Sequence, residues 1–396
     1  MRRKLKRGRY NVFGKRGMPP ALKTFLWILV CVTVVAAGYF GAMWASNGSL
    51  PTLDIPSSNT DKPATSPEKP SGNGGSGNDQ DVTPDTPVTP PSSAEEIRAF
   101  YLPHSALTAD NLSTTLTAAY NAGFNAVLFD LKDADGNLYY RFANAQAKKV
   151  GSFTEDAFTS DGLDELFDII NECGLLPIPR LYAFCDNAAA SALTDARIAL
   201  ESNHSWAWYD GDRNDGGKKW LNPYSEAAHT YIGALATELK DKGAVAIMLD
   251  GVQFPLYLNS AYLGEDAATV TKDAALTAFV EKMRTQLGSN CSLLLGCTSA
   301  GALGTDTKVY GGNPLTFGAN VTSPLLTSKV KESVEKMALR IQVLEQKPTL
   351  SPMLGVDGFS AAKVNDAISA CVAGGAKNFI LYAADGQYDF SAYTLP

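Results

Sequence analysis

A helical segment, a glycine and a short run of apolar or β-branched residues recur in that order along the C-terminal three-quarters of this sequence. Gly123, Gly174, Gly243 and Gly374 or Gly375 follow four of the helical segments. A residue with positive φ commonly ends a helix, and glycine adopts that conformation at low cost. The order is typical of repeated βα units, in which successive strands run parallel in one sheet.

Eight apolar runs after residue 94 are predicted to be strands. They are Arg98–Leu102, Ala126–Leu131, Leu176–Tyr182, Val245–Leu249, Ser292–Gly296, Asn320–Ser323, Thr349–Leu354 and Asn378–Ala383. The predicted helices are Thr108–Ala122, Asp161–Cys173, Ser225–Lys242, Lys272–Leu287, Ser328–Gln346 and Ala361–Ala373. Eight strands in about 300 residues predict an α/β fold, a (β/α)₈ TIM barrel over residues 95–396, with a doubly wound sheet as the alternative.

The N-terminal part of the chain has the composition of a membrane anchor. Residues 1–20 form a basic tail, with eight Lys and Arg residues in the first 16 positions. Residues 24–44 contain no charged residue, and about 20 apolar residues span the hydrocarbon core of a bilayer as a helix. We therefore expect a transmembrane signal-anchor helix over residues 21–46, in contact with the lipid bilayer through residues 24–44. A cleaved signal peptide is the alternative.

Residues 47–94 are rich in Pro, Ser, Thr, Gly, Asn and Asp. They offer little apolar surface to bury, so we expect a disordered linker. Positive charge before the anchor predicts a cytoplasmic N-terminus. The protein is thus expected in the cell membrane as a single-pass protein with an extracellular barrel on a stalk, an arrangement that suits a Gram-positive envelope.

Composition and motifs exclude several classes of function. The net charge of −7 includes the basic tail, so the remainder is acidic, which argues against a nucleic-acid partner. Five cysteines follow the predicted anchor without C-x-x-C spacing, and their odd number leaves at least one unpaired. The sequence contains no H-E-x-x-H, G-x-S-x-G or Walker motif. We therefore expect no metal and no cofactor.

Polar residues collect at the carboxyl ends of the predicted strands, where (β/α)₈ barrels hold their functional groups. Along the chain these candidates are His104, Asp130, Asp133, Arg180, Tyr182, Asp250, Gln253, Asp357 and Asp385. Glycoside hydrolysis uses paired carboxylates, one to protonate the leaving oxygen and one as nucleophile or base. The alternative is that these groups form structural ion pairs or cap helices.

The connection between the third and fourth strands is rich in aromatic residues, namely Trp206, Trp208, Tyr209, Trp220 and Tyr224. Sugar rings stack on exposed aromatic faces, and indoles offer the largest such area. We expect Trp220 to form a sugar subsite. The alternative is that these rings pack the connection onto the barrel.

Four segments occur in an order and spacing that one family shares. They are Phe124–Asp133 followed by Gly136, Pro177–Asp186, Trp220–Tyr224 and Gly243–Pro255. Together they resemble a bacterial putative glycosyl hydrolase barrel family, distant relatives of the alpha-amylase-type barrels. The resemblance covers roughly residues 96–390 and implies a TIM barrel that acts on polysaccharide.

The resemblance places the family's strand-four aspartate at Asp250, which is the nucleophile position in amylase-like barrels. It also carries over Asp130, Asp133 and Arg180. The sequence departs from the family pattern at Gln253, where the family has arginine.

A second departure follows the fifth strand. Amylase-like barrels place the acid there, whereas residues 296–301 contain no carboxylate. The resemblance therefore implies Asp250 as nucleophile or base and Asp133 or Asp357 as acid. Arg180 and Asp130 would orient the pair.

Three functions remain open. The first is a membrane-anchored extracellular glycoside hydrolase that acts on a cell-envelope or environmental polysaccharide. The second is a catalytically inactive barrel that binds glycan at the cell surface, and the third is a structural barrel. A second carboxylate near Asp250 separates the first two, since retaining enzymes need about 5–5.5 Å between the carboxyl groups and inverting enzymes about 6.5–9.5 Å.

Overall fold

The computed structural model describes residues 96–396. Eight parallel strands form a closed barrel, each paired with the next, and the last pairs with the first. They are β1 (Arg98–Leu102), β2 (Ala126–Lys132), β3 (Leu176–Tyr182), β4 (Ala246–Asp250), β5 (Ser292–Thr298), β6 (Val321–Leu326), β7 (Thr349–Leu350 and Met353–Gly355) and β8 (Phe379–Tyr382). The predicted (β/α)₈ barrel is confirmed, and a doubly wound sheet, which has open edges, is excluded.

The main helices alternate with the strands. They are α1 (Leu112–Asn121), α2 (Ser160–Glu172), α3 (Glu226–Asp241), α4 (Lys272–Leu287), α5 (Val330–Gln342) and α6 (Ala361–Ala373). Each coincides with a predicted helix, and the largest differences are at the start of α1 and the end of α5. No long helix separates β5 from β6, where the chain forms the short helices Ser299–Ala302 and Thr307–Tyr310 and a 3₁₀ turn at Pro314–Thr316.

Both faces of the barrel sheet are buried. Inside the barrel the core contains Ala99, Leu128, Ile178, Met248 and Ile380. Outside it, a larger core packs the strands against the helices. Because successive strand residues point to opposite faces, strands buried on both sides read as continuous apolar runs in the sequence.

Two groups of additional strands and helices extend from the barrel at the carboxyl ends of its strands. After β2 the chain forms the strands Leu138–Tyr140 and Phe153–Phe158, separated by the helix Ala145–Val150. After β3 and β4 it forms a three-stranded antiparallel sheet, which we call the small sheet, from Ala199–Leu200, Asn203–Ala207 and Ala261–Tyr262. The remaining short helices and 3₁₀ turns are His104–Leu107, Asn187–Ala192, Arg213–Asp215, Asp266–Ala268 and Phe390–Ala392.

The predicted basic tail, anchor helix and linker, residues 1–94, lie outside the described residues and stay predictions. Within residues 96–396, no helix combines the length and the apolar character needed to cross a membrane. The five cysteines of this part, from Cys173 to Cys371, are free thiols.

Candidate functional site

A cavity of about 160 Å³ opens at the carboxyl ends of the barrel strands. Residues from β3 to β8 and their loops line it, among them Arg180, Tyr182, Asp250, Gln253, Cys297 and Tyr382. Four of these, Arg180, Tyr182, Asp250 and Gln253, are candidates from the sequence. Strand ends of a closed barrel converge, which is why residues far apart in the chain meet here.

Arg180 connects two carboxylates in this site. Its Nε and Nη2 donate to the two oxygens of Asp130 at 2.6 and 3.0 Å, and its Nη1 lies 3.4 Å from Oδ2 of Asp250. The strand register produces this contact, since Asp130 is paired with Arg180 and Asp250 with Tyr182. Asp130 and Asp250 thus bind different edges of one guanidinium.

Three tyrosine rings surround the Arg180 guanidinium. Its Cζ lies 4.9 Å from the ring centroid of Tyr101, 5.1 Å from that of Tyr182 and 5.3 Å from that of Tyr382. The Tyr101 hydroxyl also donates to Oδ2 of Asp130 at 2.8 Å. Burial, with the Asp130 carboxylate nearby, raises the pKa of Tyr101 well above its usual value, so this hydroxyl stays a donor. The rings exclude water from the ion pair, which strengthens it.

Asp250 is the carboxylate that faces the cavity. Its side chain is 18% exposed, and its Oδ1 accepts a hydrogen bond from Gly251 N at 2.7 Å. Burial raises the pKa of Asp250 above its usual range, against the opposing effects of Arg180 and the Gly251 N–H. A carboxyl group with a raised pKa is suited to proton transfer.

The fifth strand leaves room for the Asp250 carboxyl group. A Cβ built on Gly296 would lie 2.7 Å from Cγ of Asp250, closer than carbon atoms can approach. The next inward position is Thr298, whose Oγ1 accepts from Gly301 N at 3.0 Å and caps a short helix. The resemblance to amylase-like barrels implies a catalytic acid at the end of β5. In this structure the end of β5 instead leaves room for the Asp250 side chain.

The other two predicted catalytic aspartates are held in loops outside the cavity wall. Asp133 accepts from the backbone N–H of Asp135 and of Asn137, both at 2.9 Å, and from the Asn137 amide at 2.8 Å and the Tyr139 hydroxyl at 3.0 Å. Asp357 accepts from Ala384 N at 2.6 Å. Asp133 therefore stabilises the loop after β2, and Asp357 connects the loop after β7 to the loop after β8.

Four further candidates are not in the cavity wall. One is Asp130, whose oxygens bind Arg180 and Tyr101, and the other three lie elsewhere. His104 is buried, and its ring stacks on Tyr139 with 4.6 Å between centroids. Asp385 lines a separate cavity of about 530 Å³. Trp220 is only 7% exposed, and its Nε1 donates to Asp210 at 2.9 Å. The Trp220 ring packs the connection onto the barrel and leaves little surface for a sugar.

A buried ion pair explains part of the motif that follows β2. Nζ of Lys132 lies 2.9 Å from Oδ2 of Asp186, and both side chains are 0% exposed. A Cβ on Gly136 would come within 2.0 Å of Oδ1 of Asp186, so only glycine fits there. This pair was not predicted from the sequence. Lys132 ends a mostly apolar strand, and a lysine at such a position indicates a buried cation that needs an acidic partner.

A second group of polar contacts at the cavity was also missed. The Tyr310 hydroxyl donates to Oε1 of Gln253 at 3.0 Å and accepts from Thr298 N at 3.1 Å. These bonds fix the side chain of Gln253 at the cavity wall. Tyr310 lies in a short helix after β5, and this part of the sequence has no periodic pattern of apolar residues. Across residues 96–396, no three His, Cys, Asp or Glu side chains are grouped as metal ligands.

Comparison with known proteins gives a family match and several similar folds. Residues 99–299 match the family described as "Putative glycosyl hydrolase domain". A hypothetical protein from Ruminiclostridium thermocellum is 22% identical, with 50% of this chain and 96% of that chain covered and a TM-score of 0.42.

Two glycoside hydrolase structures are also similar to this chain. The family 20 β-N-acetylhexosaminidase from Streptomyces coelicolor is 10% identical, with 74% of this chain and 60% of that chain covered and a TM-score of 0.48. The glycoside hydrolase domain of PelA from Pseudomonas aeruginosa is 11% identical, with 74% of this chain and 97% of that chain covered and a TM-score of 0.42. No curated protein matches the sequence.

Proposed function

The chain belongs to the putative glycosyl hydrolase family, and from this premise we propose that its barrel hydrolyses a glycosidic bond with Asp250 as the reacting carboxylate. The observation that carries the proposal is the position of Asp250, which faces the cavity, contacts Arg180 and has a raised pKa. A carboxyl group of this kind transfers a proton to or from the reacting oxygen.

Hydrolysis by two carboxylates needs a partner for Asp250. Asp130 contacts the other edge of the same guanidinium, whereas the predicted acids Asp133 and Asp357 are engaged in loop hydrogen bonds. Asp130 does not line the cavity, and we infer that it acts on Asp250 through Arg180. Arg180, fixed by Asp130, holds the Asp250 carboxyl group in position.

The substrate that we propose is a polysaccharide. The cavity of about 160 Å³ is smaller than pockets for drug-sized ligands, which measure about 300–1,000 Å³. It therefore suits one sugar unit, with the rest of the polymer outside. Rings such as Tyr182 and Tyr382 suit the apolar face of a sugar, and the Gln253 amide suits its hydroxyl groups.

We also propose that the barrel acts outside the cell, on a cell-envelope or environmental polysaccharide, and that residues 24–44 anchor it in the membrane. The support is the uncharged segment and the basic tail before it. Protease treatment of intact cells should remove the barrel and leave an epitope tag on the N-terminus protected. Loss of the N-terminal tag with retention of the barrel would contradict this topology.

A second candidate function is glycan binding without hydrolysis. The observation that favours it is the state of Asp130, whose oxygens are occupied by Arg180 and Tyr101. With Asp130 so engaged, Asp250 would meet the substrate without a reacting partner. Such a barrel would hold a sugar in the cavity and leave its bonds intact.

The experiment that tests both functions uses the full-length chain and a panel of cell-wall and plant polysaccharides. New reducing ends report hydrolysis, and retention on the insoluble polymers reports binding. The proposed hydrolase releases reducing ends from at least one polymer. Retention without reducing ends, if it is weakened in Asp250→Asn, would assign the binding function to this cavity instead, and the lack of both would reject both.

A further inference from the structure

A third and larger cavity lies beside the small sheet. It has a volume of about 670 Å³, and we call it the aromatic groove. Its principal lining residues are Trp206, Trp208, Tyr209, Arg213, Lys219 and Asn259. None of these residues lines the Asp250 cavity, so the two are separate sites.

The aromatic groove is built from the loops that leave β3 and β4, the strands that carry Arg180 and Asp250. Ala183 N donates to the Asp250 carbonyl at 2.7 Å, which ties the two loops together where they begin. Further along, Nε1 of Trp208 donates to the Asn259 carbonyl at 2.8 Å. The groove therefore lies at the same end of the barrel as the Asp250 cavity.

Two neighbouring tryptophans in the groove have different environments. Trp208 is 4% exposed and hydrogen-bonded, so it anchors the connection. Trp206 is 63% exposed and presents its indole to solvent at the groove. An exposed indole in a concave, partly polar site is characteristic of ligand recognition, since binding removes its apolar surface from water.

Two cations border the same groove. Cζ of Arg213 lies 5.8 Å and Nζ of Lys219 lies 5.6 Å from the ring centroid of Tyr209. Among the ion pairs of residues 96–396, neither cation is paired with a carboxylate. Their N–H groups can therefore donate to oxygen atoms of a ligand.

We propose that the aromatic groove is a second glycan-binding site, which holds a segment of polysaccharide with a sugar ring against Trp206. A sugar has an apolar face that matches the indole and hydroxyl oxygens that match Arg213 and Lys219. The volume of about 670 Å³ falls in the range of about 300–1,000 Å³ for ligand pockets. The choice of a glycan rests on the proposed function, and the position of the groove suits a polymer that extends beyond the Asp250 cavity.

The test compares the retention of full-length variants on insoluble cell-wall sacculi, chitin, cellulose and xylan. Trp206→Ala should bind the retaining polymer at least about tenfold more weakly than the wild type, a loss typical of a central aromatic contact. The control is Tyr120→Ala, which removes a 39% exposed ring from α1 and should be retained like the wild type. Both changes are at exposed positions, so equal melting temperatures are expected.

Asp250→Asn distinguishes this inference from the proposed function, because it changes the Asp250 cavity and leaves the groove intact. We expect this variant to be retained like the wild type. Weaker retention of Trp206→Ala by a protein that releases no reducing ends would support the groove and reject the hydrolase. Equal retention of Trp206→Ala and wild type, or no retention of the wild type on any of the polymers, would overturn the inference.

Discussion

Asp250 experiences opposing influences on its charge. Burial disfavours the carboxylate, whereas the Arg180 guanidinium and the Gly251 N–H favour it, and the net result is a raised pKa. A group whose charged form is disfavoured by the fold reduces stability at neutral pH. This is a common property of functional carboxylates, whose environment is arranged for chemistry and not for stability.

The raised pKa predicts that Asp250→Asn melts at a higher temperature than the wild type at pH 7. Folding raises the pKa of Asp250, so its contribution to stability is present below the unfolded pKa of about 3.9 and is lost as the pH rises through the folded value. The advantage of the variant should therefore shrink as the pH falls through the folded value and be lost below about 4. Thermal unfolding at several pH values measures this, and a variant that melts lower at pH 7 would contradict the burial account.

Gly296 offers a second test at the residue scale. Gly296→Ala puts a methyl group 2.7 Å from Cγ of Asp250, so we expect a loss of about 1–3 kcal/mol in the free energy of unfolding, as in other overpacked cores. In the double variant Asp250→Ala and Gly296→Ala the clash is absent. Urea unfolding should show that adding Gly296→Ala to Asp250→Ala costs much less than adding it to the wild type. Equal costs in both backgrounds would show that the two residues do not compete for space.

At the scale of elements, the sequence predicted the barrel strands because they are buried on both faces. The runs at β1 and β3 and the helices α4 and α6 have the predicted bounds. The break in β7 and the two-residue strands of the small sheet were not predicted. Strands this short carry no periodic signal, and their pairing depends on the loops that bring them together.

The sequence predicted the residues of the candidate site only where their position on a strand decides which way the side chain points. Asp130, Arg180 and Asp250 point into one barrel, so their convergence follows from strand order and register. The partners of loop residues do not follow from position. Asp133 is engaged by its own loop, and whether a tryptophan in a long connection is buried or exposed depends on the packing of the whole loop.

The Lys132–Asp186 ion pair predicts how the loops after β2 and β3 are held together. Lys132→Met leaves the fully buried Asp186 carboxylate without its cation, so we expect a loss of about 3–5 kcal/mol in the free energy of unfolding. The matched variant adds Asp186→Asn, which removes the charge and keeps an oxygen for the hydrogen bond from Ala189 N. This double variant should recover part of the loss in urea unfolding. A double variant less stable than Lys132→Met would show that the charge itself is not the cause.

At the scale of the whole molecule, one end of the barrel carries both sites. The Asp250 cavity lies at the carboxyl ends of the strands, and the aromatic groove lies on the loops that leave β3 and β4. The opposite arrangement, with polar groups spread around the barrel, would fit a structural protein. Cleavage at Asp250 and retention at Trp206 are therefore proposed as two steps in the handling of one polymer.

The most direct test of the central claim compares hydrolysis by the full-length wild type, Asp250→Asn and Asp366→Asn, the last being the same change at an exposed position of α6. Reducing-end release from the polysaccharide that the wild type cleaves is measured for each. We predict that kcat falls by about 10²–10⁴-fold in Asp250→Asn, the usual contribution of a positioned acid or base, and is unchanged in Asp366→Asn. Undiminished hydrolysis by a folded Asp250→Asn variant would contradict the assignment of this cavity as the active site.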